Sequence, residues 1–147
     1  MADKSALGAK GEPFQVPIER GKIAEFARAI HAEHPAYTGD APVSPPTFLT
    51  TGTFFWEEES PWPRVNMDQQ RGLHAEQEYV FHGPPPRAGT TLTGRSEVTE
   101  MYEKEGRRGG TMTFVVMTTE FRDGEGNLVA EARMTGVETA KPPTEES

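Results

Sequence analysis

Apolar positions early in the chain recur with helical spacing. Ile23, Phe26, Ala27 and Ile30 fall at i, i+3, i+4 and i+7 and share one face. They predict a helix over about 21–32 within the stretch Arg20–Tyr37. Pro35 is expected to end it, because the residue before a proline is pushed out of the α region. Before this helix, residues 14–18 (FQVPI) alternate apolar and polar, which predicts a short strand that Pro17 confines to a sheet edge. Residues 35–46 are a proline-rich loop. Thr47–Glu58 (TFLTTGTFFWEE) is apolar without a decisive period: Pro45-Pro46 suits a helix start, while the β-branched and aromatic content suits a strand.

After an exposed loop over 59–72, from which Trp62 and Met67 are expected to pack back, the pattern turns to period two. His74–His82 puts His74, Glu76, Glu78, Val80 and His82 on one face, and Ala75, Gln77, Tyr79 and Phe81 on the other. Strands are predicted over 91–103, 111–121 and 128–137. The strand at 111–121 is apolar on both faces around Phe114–Met117 and should be central; the turn cluster DGEGN at 123–127 should close a hairpin. One helical region followed by at least four antiparallel strands is an α+β domain, a sheet laid on a helix. Its open edges favour pairing with a second chain. Residues 1–12 and the tail 140–147 are small and polar, and are expected to be flexible around a single domain at 13–139.

Composition narrows the chemistry. A formal charge of −8 over 147 residues argues against nucleic acid or an anionic membrane as partner. The absence of cysteine excludes disulfides, thiolate nucleophiles and cysteine-type zinc sites. No apolar run approaches the ~20 residues of a membrane helix, and the polar start lacks a signal-peptide core, so a cytoplasmic protein is the expectation. GxSxG, P-loop and GxGxxG patterns are absent. His31 and His34 would need a third ligand, such as Asp40 or His74, to hold a metal. Two exposed histidines at a helix end are the simpler reading, and no metal or cofactor is expected. His74 and Glu76, at i and i+2 of one strand, are a candidate general base and its orienting partner, against the plain alternative of a solvated polar face. Arg107 and Arg108 are a candidate phosphate contact or simply a charged turn.

The ordered segments ERGKIAEFARAI, HPAY, SPPTFLT, LHAEQEYVFH and GGTMTFVVMTTEFRDGEGNLVAEARMTGVET together resemble the N-terminal-type MaoC-like dehydratase domain. The resemblance spans about 12–139. It implies a hot-dog fold, an antiparallel sheet wrapped around a central helix. That helix would occupy about 46–58, which settles the ambiguity there. In active members a helix end of the type G-D-x-N-P-x-H supplies an Asp/His pair for water addition to, or elimination from, an acyl thioester. Aligned on Pro35, this chain carries Ala32 at the Asp position, His34 at the Asn position and Tyr37 at the His position. Alanine exchanges no proton, and a phenol of pKa near 10 is a poor base at neutral pH.

The resemblance therefore implies the degenerate subunit of a heterodimeric enoyl-thioester hydratase or (R)-3-hydroxyacyl-thioester dehydratase. Such a chain binds acyl-CoA or acyl-ACP beside a catalytic partner. The backbone near Thr47 becomes a relic oxyanion site, and Phe48, Phe54, Phe55 and Trp56 become candidates for an acyl tunnel or for core. Where the family often reads HRP after its EQE strand, this chain reads His82-Gly83-Pro84. Two alternatives stand beside this reading: a self-sufficient homodimeric hydratase or thioesterase using His74 and Glu76, and a non-catalytic acyl-CoA-binding protein.

Overall fold

The segment that is apolar on both faces is the middle of the sheet. In the computed structural model, which describes residues 1–56, 60–107 and 109–141, the strands are β1 (Phe14–Pro17), β2 (Gly72–Phe81), β3 (Thr91–Glu105), β4 (Thr111–Arg122) and β5 (Leu128–Glu138). They form one antiparallel sheet in the order β1-β3-β4-β5-β2. The inner face of β4, Thr113, Val115, Met117, Thr119 and Phe121, is wholly buried. β1 lies at one edge, as Pro17 requires. It seats Phe14 directly across from Gly94, where a Cβ would stand 2.5 Å from the Phe14 ring. Only glycine admits that approach. The DGEGN cluster closes β4 onto β5, with the Asp123 carboxylate accepting the amides of Glu125 and Asn127 at 2.9 Å each.

The early helix, α1 (Arg20–Ala29), ends sooner than the apolar pattern suggests. The Ala32 amide donates to the Ala27 carbonyl (2.8 Å) and the His31 amide to Arg28 (3.1 Å), with His31 itself left-handed at φ 56°. That is a Schellman C-cap. The helix is stopped by its own cap five residues before Pro35, which instead starts a 3-10 turn at Pro35–Tyr37. A left-handed residue bearing a Cβ costs about 1–2 kcal/mol. His31→Gly is therefore expected to raise stability by about 1 kcal/mol, read as a midpoint shift of about 2–4 °C.

Thr47–Glu58, ambiguous by local pattern, contains a helix at Phe48–Phe55, and all of it is 3-10. Three threonines and Gly52 in eight residues weaken the α-helical alternative. The helix is thus shorter than the expected span of 46–58; residues 57–59 lie outside the described ones. It rests on the concave face of the sheet. Phe48 and Leu49 join Phe14, Val16, Ile18, Ile23, Leu92, Phe121 and Ala130 in the main core.

Residues 1–12, expected to be flexible, are docked. Ala2 and Ala6 are buried in a second cluster with Val65, Val98 and Val115, against which Trp62 and Met67 pack as expected. The Gly8 amide donates to the Val98 carbonyl at 2.8 Å, and the Gly11 amide to Ser96 at 2.9 Å. Small side chains here mark a close approach to β3 rather than disorder. The expected flexible tail falls at 140–147, of which 142–147 lie outside the described residues. Among the described residues, no helix is long and apolar enough to cross a membrane.

Candidate functional site

The loop after α1 overhangs the start of the central helix. Phe26 of α1 meets Phe48 edge-to-face, with centroids 5.5 Å apart. Tyr37 packs half-buried against the main core. His34 accepts the Ala36 amide through Nδ1 (3.1 Å) and leans on Tyr37, with ring centroids 5.8 Å apart. Arg20 reaches Asp40 at 3.2 Å and ties the loop back to the helix start. These contacts hold the loop, with Ala32 at its start and Tyr37 at the end of the 3-10 turn, against the helix and the main core. Among the described residues, no three His, Cys, Asp or Glu side chains gather as a metal site.

Thr47 is the N-cap of the central helix, and its side chain makes no capping bond. The Phe48 amide is already taken by the Pro45 carbonyl (3.0 Å), whereas among the described residues no backbone group takes the Thr47 or the Leu49 amide. The Thr47 amide, on the more exposed of these two residues, is one donor at that helix start.

Along the helix runs a groove. Thr50, Thr53 and Trp56 form one side, and Gln77, Tyr79 and Met134 belong to the sheet opposite. Its enclosed volume is about 40 Å³. Burial pushes the Tyr79 phenol above its ordinary range, against the opposing effect of a hydrogen bond with the Thr50 side chain. Among the described residues, no carboxylate, histidine, lysine or arginine lines this groove. Those residues can contact and orient a ligand, but among them none is suited to acid–base work near neutral pH.

Trp56 stands at the C-cap of the helix, and beyond it opens a cleft of about 230 Å³. Trp62, Met67, Leu73 and His74 line this cleft, together with Met134 and Gly136. Gly136 is required there, because a Cβ on it would meet the Trp62 ring at 2.7 Å.

The strand pairing corrects the expected relation of His74 to Glu76. His74 pairs with Gly136 but Glu76 pairs with Thr135, so Ala75 is an extra residue in a β-bulge. Adjacent residues of β5 point to opposite faces, and their partners follow. His74 therefore turns into the cleft on the helix side, while Glu76 faces outward with Glu78. That outer face is polar and partnered: Glu78 meets Arg133 at 3.4 Å, and His82 Nε2 meets Glu131 at 2.7 Å. A His–carboxylate dyad needs both groups on one face, which the bulge prevents.

Phe48, expected as a substrate contact or as core, is core. Trp56 lines both the groove and the cleft, Phe54 is 79% exposed, and Phe55 packs on the main core. Arg107 is exposed in the β3–β4 turn, away from both cavities, and Arg108 lies outside the described residues. Sequence reasoning missed Tyr79, Met134 and Gln77 as groove residues. For Gln77 and Tyr79 the alternation of the strand was the available signal, since it places them on the inner face.

A family model described as the FAS1-like dehydratase domain region matches residues 5–132. The UPF0336 protein SCO4636 of Streptomyces coelicolor is 33% identical over 111 residues, covering 67% of this chain and 73% of its own length. Among solved structures, a C-terminally truncated HadBC (3R-hydroxyacyl-ACP dehydratase) complex from Mycobacterium tuberculosis superposes with a TM-score of 0.70 at 26% identity, covering 90% of this chain and 96% of that one. The ChsH1–ChsH2 complex from the same organism gives 0.77 at 17% identity, covering 98% and 90%. With a five-stranded antiparallel sheet curled on a central helix and a family match over most of its length, this chain has the hot-dog fold and belongs to the FAS1-like dehydratase-domain family.

Proposed function

We propose that the chain is the acyl-thioester-binding subunit of an enoyl-thioester hydratase or 3-hydroxyacyl-thioester dehydratase, and that a partner hot-dog chain supplies the Asp/His pair. The observation that carries this reading is the loop overhanging the central helix, in which Ala32 and Tyr37 occupy the positions where the resemblance expects that pair. Two features support it. Among the described residues, the groove beside the central helix is lined by no carboxylate, histidine, lysine or arginine, and the similar HadBC and ChsH1–ChsH2 structures are complexes of unlike chains. Edge strand β2 offers a ladder that no described strand pairs, with Leu73 48% exposed upon it.

In this arrangement the partner's base removes a proton from C2 of a 3-hydroxyacyl thioester, and its acid protonates the departing C3 hydroxyl, releasing water. Hydration is the reverse. This chain orients the acyl group, and the Thr47 amide is positioned as a donor toward a thioester carbonyl. The self-sufficient alternative using His74 and Glu76 loses its basis in the opposed faces of those residues.

Co-expression with a family chain that retains Asp and His should yield a stable complex. Its hydratase rate should exceed that of this chain alone by about 10²-fold or more, the span of a positioned acid–base pair. Full activity of the purified lone chain would overturn the proposal.

A further inference from the structure

The groove and the larger cleft share two residues, Trp56 and Met134. A 3-10 helix rises about 2.0 Å per residue, so the backbone of Trp56 lies roughly 18 Å along the helix axis from that of Thr47. A chain laid beside the helix from its start reaches Trp56 at the far end of the groove. Behind it lies a cleft several times larger than the enclosed part of the groove, walled by Trp62 and Met67 and floored by Met134 and Gly136. The cleft is apolar along those walls, with His74 as its titratable member. It stays open because residue 136 has no side chain and because Trp62 is pinned across it, half-buried against the second core cluster.

We propose that Trp56, which with Met134 lines both cavities, is the stop that sets the length of the acyl chain this protein accepts, by separating the groove from the cleft beyond. The inference rests on the acyl-binding reading above and adds to it a specificity-determining residue. Hydrocarbon gains affinity by leaving water, about fourfold per methylene buried. Where the indole blocks the way, further methylenes stay exposed or force the side chain out of place, and the gain ends. Removing the indole joins two cavities that already exist, so no new space has to be carved from the core.

Isothermal titration with butanoyl-, octanoyl-, dodecanoyl- and hexadecanoyl-CoA, on the chain and on its co-purified complex, tests this. Wild-type affinity should rise along the series and then fall at a limiting length. Trp56→Ala should move that limit upward, tightening hexadecanoyl-CoA about tenfold or more while leaving butanoyl-CoA within about twofold. If Trp56→Ala lacks a cooperative melt, Trp56→Phe should shift the limit in the same direction by less; no shift with either variant overturns the stop. Wild-type affinity that keeps rising through hexadecanoyl-CoA, or equal weakening of every length by Trp56→Ala, also overturns it while leaving acyl binding intact. Absence of binding at every length by chain and complex removes the acyl-binding reading and the stop together.

Discussion

Phe48→Ala is expected to cost about 3–5 kcal/mol of folding stability, the range for deleting a buried aromatic side chain. Its ring is 1% exposed, stands edge-to-face on Phe26 at 79° between planes, and joins α1 to the central helix within the main core. Because a domain has only about 5–15 kcal/mol in total, such a loss brings the chain close to unfolding at growth temperature. Urea titration followed by circular dichroism gives the measurement, with Phe48→Leu as a milder companion that keeps most of the buried area. A loss below about 1 kcal/mol coupled to loss of acyl-CoA affinity would instead make Phe48 a ligand contact and not a core residue.

The second large effect lies at the far end of the sheet. The Glu138 side chain, 1% exposed, is paired with Arg71. Arg71 also bonds Asp68 Oδ2 at 2.8 Å and the Thr139 carbonyl at 3.3 Å, and its hydrogen bond is the main reason the Asp68 carboxyl is held below its ordinary range. This network pins the Met67–Gly72 segment to the end of β5 and so fixes one wall of the cleft.

Arg71→Met strands a buried carboxylate, and breaking such a pair from one side costs about 3–5 kcal/mol. The Met1 amine, 3.1 Å from the same carboxylate, remains and points to the lower end, about 3 kcal/mol. The double variant Arg71→Met with Glu138→Gln should recover much of the loss, since removing both charges is close to neutral. Equal loss in the single and double variants would mean that the guanidinium acts through packing alone.

Much of the architecture was legible in the sequence because its signals are local. The period of two along 74–82, 91–103, 111–121 and 128–137 reports which residues face a core. The doubly apolar run Phe114–Met117 marked a central strand, and it is central in the sheet, with Val115 and Met117 buried on its inner face. Resemblance did the remaining work at 47–58, where propensities for helix and strand were balanced. A hot-dog sheet needs an element in its concave face, and that requirement is not written into the segment itself. The alanines at 2 and 6 show the same limit, since small residues read as flexible until a neighbouring strand comes within reach.

The site divides along the same line. The sequence by itself determined the identities of Ala32 and Tyr37, because residue identity is a covalent fact, and the proposal that they replace an acid–base pair starts from those identities. It also determined the strands, the turns and the absence of cysteine chemistry. Only the tertiary structure decided that His74 and Glu76 face apart, since a single extra residue at Ala75 inverts the alternation and a bulge is defined by its partner strand. Only the tertiary structure, too, placed Trp56 and Met134 between two cavities. A cavity is space left between elements distant in sequence, and no period within either element records it.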